Sequence, residues 1–174
     1  MSEDDGGKMF FWDHTVVNAY SYIIAIPDFP RFLIPAGYTF DGHTVAIDFR
    51  EPEKFRLPKC VIAAPHDWIY EHRIDADGVY HEGDSGKLMI DQMYKLMHKA
   101  SNSWLKRQLR YHRYYAIRHS RKIKAAWHDR IFPKPLKPQW EHMFGDRQLQ
   151  RLLPTVSLHA QTGRLMIEPP RNTV

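Results

Sequence analysis

Short apolar runs, each broken by proline, fill the first part of this chain, and longer patterns with a helical period fill its middle. Thr15-Val16-Val17, Tyr22-Ile23-Ile24-Ala25-Ile26 and Phe32-Leu33-Ile34 are aromatic or β-branched, with Pro27, Pro30 and Pro35 between or after them. Runs of that length bounded by proline predict short strands of a small antiparallel sheet over 10–40. Gly37 and the Asp41-Gly42 pair mark turns that accept positive φ. A loop rich in proline and charge, 50–58, leads into the helical half.

Three helices are expected there. The first covers 59–72 and contains Pro65, so it either starts at that proline or kinks at it. Asp84-Ser85-Gly86 reads as a cap before a second helix over 87–100, with Leu88, Met89, Tyr94, Leu96 and Met97 as its apolar positions. The third starts from a Ser101 or Ser103 cap and runs to about Trp127. Leu105, Leu109, His112, Ala116, Ile123 and Trp127 fall near one of its faces. Beyond Ile131, Phe132-Pro-Lys-Pro-Leu-Lys-Pro-Gln-Trp140 alternates proline with lysine, which disfavours helix and predicts an extended segment lying along a surface. The end of the chain, 155–168, predicts a β-hairpin with Gly163 in its turn.

The elements define an α+β chain: a small N-terminal antiparallel sheet packed on a helical half of about three helices, then an extended C-terminal arm and terminal β-hairpin. At 174 residues and 43% hydrophobic content the default is one core. The expected organisation is a flexible acidic arm at 1–8, a single domain at 9–130, and the Pro/Lys-rich arm and hairpin at 131–174. No apolar run is long enough to span a membrane, and the acidic opening does not resemble a basic secretory signal, so synthesis in the cytoplasm is expected. Cys60 is the single cysteine and sits in an apolar run, which excludes an internal disulfide and a multi-cysteine metal site.

Charge adds a feature that periodicity does not. The net charge is +5, and Asp and Glu are absent from Gln92 to His128 while Lys and Arg recur throughout. Lys106, Arg110, Arg113, Arg121 and Lys124 fall on one face of the third helix, with Tyr111, Tyr114 and Tyr115 among them. A cationic face with interleaved aromatics suits an anionic partner, either a protein surface or a nucleic acid backbone with some base stacking.

The candidate chemistry lies in three short blocks: Ile34-Pro-Ala-Gly-Tyr-Thr-Phe-Asp41-Gly-His43-Thr44-Val, then Ala64-Pro-His66-Asp67-Trp-Ile-Tyr70, then Ile90-Asp91-Gln-Met93. In order and spacing they resemble domain-of-unknown-function family 1353 of tailed phages and prophages, over roughly residues 30–118. The family pattern reads approximately P-x-G-F-x-T-D-G-A-S-x-P, H-D-x-x-Y and A-D-x-x-F. His43, Thr44, Ala46, Ile90 and Met93 depart from it, while the acidic and histidine positions match. The resemblance implies a phage origin and carries no activity.

Two readings of those residues stay open. Asp41, His66, Asp67 and Asp91, with His43 as an accessory ligand or base, are a plausible set for Zn, Mn or Mg in a metal-dependent hydrolase. Without a cofactor, the same groups would form a buried polar network in which His66 bonds to Asp91. His66 and Asp67 are neighbours on a helix, pointing about 100° apart, so one of them faces elsewhere. The expected function is a phage-encoded structural or assembly-associated binding protein that joins other phage structural proteins in neck, tail or capsid, with the virion as its later location. The alternatives are the hydrolase and a nucleic-acid-binding accessory protein.

Overall fold

The computed structural model describes residues 16–40, 61–101, 104–130 and 132–171. The expectations for the arm at 1–8, for the Asp41-Gly42 turn, His43 and Cys60, and for the 50–58 loop fall outside the described residues. Strands β1 (Val16–Val17), β2 (Tyr22–Ile24), β3 (Phe32–Ile34) and β4 (Thr39–Phe40) come first. Helices α1 (Ala63–His72), α2 (Gly83–Ala100), α3 (Trp104–His119) and α4 (Arg121–His128) follow. The short helices α5 (Pro138–Glu141) and α6 (Arg147–Gln150) then precede strands β5 (Thr155–Leu158) and β6 (Leu165–Glu168). The α+β class is therefore as the sequence predicts. Among the described residues no helix is long and apolar enough to cross a membrane.

The sheet differs from the expected one in composition. Its order is β3-β2-β5-β6, with β2 antiparallel to β3 and parallel to β5. β1 and β4 pair separately. The terminal segment predicted as a hairpin is one, with Gly163 at φ 64° in its turn, but it belongs to the main sheet. Ile23 N–H donates to the Pro154 carbonyl and Ala25 N–H to that of Val156, both at 2.9 Å. The separate C-terminal arm is thus corrected: the tail completes the fold, because β2 would otherwise have one row of unpaired backbone groups.

Burial on both faces explains why β2 reads as an unbroken apolar run and not as alternation. Tyr22 and Ile24 enter the main core with α1 and α2, while Ile23 packs with Leu33, Ala76 and Met143 on the opposite face. An aromatic wall joins the chain ends. Trp68 of α1 stacks at 5.6 Å on Phe144 and lies 5.8 Å from Trp140, whose indole N–H donates to the Ala36 carbonyl at 3.1 Å.

The Pro/Lys segment does lie along a surface. Lys134 N–H donates to the Glu71 carbonyl at 2.7 Å, and His72 Nδ1–H donates to the Lys134 carbonyl at 2.8 Å. Burial pulls the His72 imidazole down to about 4, and the charges of Lys134, Arg130 and Lys137 add to that against the carbonyl hydrogen bond. A histidine held below its unfolded value of about 6.5 contributes stability above pH 6.5 and loses it as pH falls towards 4. Unfolding midpoints measured across that window should fall with acid, and His72→Asn, which keeps an amide donor, should flatten the slope.

The helices refine three expectations. α1 starts at Ala63, which places Pro65 in the first turn, where its missing amide breaks no helical bond. α2 starts at Gly83 with an extended Glu82 before it, so Asp84 is a first-turn residue near the positive helix end and not the cap. The single helix expected to run to Trp127 is broken at Ser120, whose extended backbone and hydroxyl cap α4 at Ile123 N–H.

Candidate functional site

Packing of α1 on α2 across the connection 73–82 brings His66 to Asp91, with His66 Nε2 3.1 Å from Asp91 Oδ1. Tyr70 lies one helical turn beyond His66, and its hydroxyl donates to the same oxygen at 3.2 Å. Lys87 sits four residues before Asp91 and so shares its face of α2, donating to Oδ2 at 2.6 Å and to the Ile117 carbonyl at 3.2 Å. Arg118 of α3 reaches Oδ2 at 3.5 Å. Asp91 is fully buried, and its four donors fill the lone-pair positions that a carboxylate offers.

Electrostatics match that geometry. Burial pushes the Asp91 carboxyl upward, but the hydrogen bonds and charges of His66 and Lys87 outweigh it and hold it below the usual range. Burial likewise works against a charged His66 ring, yet the Asp67 and Asp91 carboxylates outweigh it and raise its pKa. Asp67 Oδ1 lies 3.7 Å from His66 Nδ1, on the other side of the ring from Asp91, so neither of these helix neighbours faces away from the cluster as the sequence suggested. The ring thus lies between two carboxylates, with Nε2 towards Asp91 and Nδ1 towards Asp67.

Asp41 and His43 lie outside the described residues, so of the predicted set the structure brings together His66, Asp67 and Asp91. Among the described residues no group of three or more His, Cys, Asp or Glu is arranged to hold a metal. Lys87, Tyr70 and Arg118 were missed as members of the cluster. The four-residue spacing of Lys87 and Asp91 was the legible signal. Replacing His66 with alanine leaves a buried carboxylate short of a donor and should cost about 1–3 kcal/mol. In the network reading the melting temperatures of wild type and variant do not respond to chelator; a chelator-sensitive wild type would restore the metal reading.

The cationic helix divides differently from the expected faces. Arg113 is buried with Ile117, each 1% exposed, while His112 is exposed. Arg113 is therefore corrected from the anion-facing set: α3 packs on α2 through the line of positions 113 and 117, one residue out of phase with the predicted apolar stripe. Its guanidinium nitrogens have no hydrogen-bond partner among the described residues. Arg110 is half-buried, and Arg121 and Lys124 are exposed on α4. Lys106 lies on α3, and its side chain is outside the described set.

The outward face of α3 carries large aromatics. Trp104, Tyr111 and Tyr115 are 65%, 56% and 67% exposed, and their spacing of seven and four residues aligns them within about 40° around the helix. Arg110 lies 4.4 Å from the Tyr111 ring centre, and Lys95 of α2 lies 4.9 Å from Tyr111 and 4.7 Å from Tyr114. The hydrogen bond and charge of Arg110, joined by Lys95 and Lys99, hold the Tyr111 phenol below its usual range.

Comparison of the chain with protein-family models, with curated proteins and with solved structures finds no match in any of the three.

Proposed function

We propose that this chain is a binding protein of a tailed-phage assembly and that it meets an anionic partner surface through the outer faces of α3 and α4. The observation that carries this reading is the row of exposed aromatics on a helical segment with Lys and Arg but no Asp or Glu from Gln92 to His128. Exposed aromatics in a contiguous row mark interaction surfaces, and the uncompensated positive charge selects against a second copy of the same face. The phage setting rests on the resemblance of the 34–45, 64–70 and 90–93 blocks to the tailed-phage family.

A nucleic acid partner is the second reading, favoured by Trp104, Tyr111 and Tyr115, since bases stack on aromatics flanked by cations. The hydrolase alternative has less support, because a cation at Asp91 would have to displace the Lys87 ammonium.

Binding of polyglutamate and of oligothymidylate, followed by fluorescence anisotropy at two salt concentrations, tests the surface. Salt-sensitive binding that is lost in Arg121→Glu/Lys124→Glu supports the anionic-partner reading, and these exposed changes should leave stability within about 1 kcal/mol. Preference for polyglutamate supports a protein partner. Preference for oligothymidylate that disappears with Trp104→Ala/Tyr115→Ala moves the assignment to nucleic acid. Binding of neither, or binding indifferent to the charge reversal, removes α3 and α4 as the working surface.

A further inference from the structure

A cleft of about 380 Å³ opens on the sheet face turned away from the main core. Ile23, Ala25, Thr155 and Ser157 form its floor. They are alternate positions along β2 and β5, and the intervening Ile24 and Val156 enter the main core. Ile23 and Thr155 are cross-strand partners, so apolar and hydroxyl side chains lie next to one another there.

Four arginines line the cleft: Arg31, Arg147, Arg151 and Arg171. Two are held in place. Arg147 grips Asp77 with Nε at 2.8 Å from Oδ1 and one terminal nitrogen at 3.0 Å from Oδ2. Arg31 donates to Gln150 Oε1 at 2.9 Å and lies 3.5 Å from Asp77 Oδ1. The buried Gln150 is itself fixed, donating to the Ala76 and Met143 carbonyls. Arg151 and Arg171 are exposed and have no carboxylate partner among the described residues. Glu168 is the lining carboxylate, and it accepts a hydrogen bond from the Ser157 hydroxyl at 2.9 Å.

Four guanidinium charges against the two carboxylates Glu168 and Asp77 leave two positive charges uncompensated. A phosphate monoester carries roughly −1.5 to −2 near neutral pH, which matches that excess. Guanidinium forks suit phosphate oxygens in paired hydrogen bonds, and Thr155 adds a hydroxyl donor at the floor. The volume falls at the small end of ligand clefts, about 300–1,000 Å³, and Ile23, Ala25 and Leu153 give an apolar patch for the organic part.

We propose that this cleft binds a small organic phosphate monoester no larger than about a mononucleotide, with Arg151 and Arg171 as the phosphate-gripping residues and the Arg31–Asp77–Arg147 clamp holding the wall in place. The proposal does not depend on the reading of α3 and α4. The test is calorimetric titration of the full chain with adenosine 5′-monophosphate, glycerol 3-phosphate, inorganic phosphate and adenosine. At least one of the two monoesters should bind more tightly than both inorganic phosphate and adenosine. Arg151→Ala/Arg171→Ala should weaken that binding on the order of 10-fold or more, as loss of charge-assisted hydrogen bonds implies. Arg121→Glu/Lys124→Glu on α4 should leave it unchanged. Absence of binding by both monoesters, adenosine or inorganic phosphate binding as tightly as the better monoester, or indifference to the Arg151/Arg171 double variant would each overturn the proposal. So would loss of binding in the α4 variant, which would place the phosphate on the other cationic surface.

Discussion

A chain ending at Phe132 should not fold. Residues 133–174 contribute Trp140, Val156 and Leu165 to the main core and Met143 to the second one. They also supply the Pro154 and Val156 carbonyls that receive the Ile23 and Ala25 amides. Without them the four-stranded sheet is reduced to β2 and β3, and an isolated two-stranded pair is marginal in water. Trp68 loses Phe144 and Trp140 from its ring faces at the same time. Circular dichroism on heating should show no cooperative transition for the truncated chain. Trp140→Ala in the full chain, which removes a buried indole that bonds the Ala36 carbonyl, should cost about 3–5 kcal/mol in urea denaturation. A truncated protein that melts cooperatively would show that the tail is a detachable docking arm after all.

Lys87→Met should cost about 3 kcal/mol or slightly more, since removing one member of a buried ion pair strands the other charge. Asp91 has no exposure and Lys87 only 1%, so water cannot replace the lost ammonium. Arg118 at 3.5 Å and His66 at 3.1 Å remain, which keeps the loss at the lower end of that range. The double variant Lys87→Met/Asp91→Leu should regain most of the stability, because it removes both charges and leaves apolar volume in their place. The single variant should also lose its remaining stability more steeply with alkali. The raised pKa of His66 gives a contribution that is present below about pH 6.5 and is lost as pH rises through the folded value, and it then becomes a larger share of what holds Asp91. A Lys87→Met cost below 1 kcal/mol in urea titrations at pH 7 would mean that Asp91 is not a buried charge.

Local structure set by periodicity and turn chemistry was legible residue by residue. Tyr22 to Ile24 and Phe32 to Ile34 are strands, Gly37 and Gly163 take positive φ, and the Lys59–His72 pattern contains α1. The His66–Asp91 meeting was legible too, because helices that follow one another in the chain pack together and bury their facing polar groups. Lys87 could have been added to it from its spacing alone.

What the chain could not reveal by itself is long-range. The sheet pairs Ile23 with Thr155 across more than a hundred residues, and a hairpin pattern is the same whether it stands apart or joins a sheet. The phase of α3 depends on which side meets α2: a shift of one residue turns the helix by about 100°, exchanging Arg113 for His112 at the buried line. The arginine cleft gathers positions from the β2–β3 turn, α6 and the end of β6, which only the mixed sheet brings together. Backbone preference and side-chain period act within a few residues, so they set the elements of this protein. The partners of those elements are chosen by which burial satisfies all of them at once, and that is decided in three dimensions.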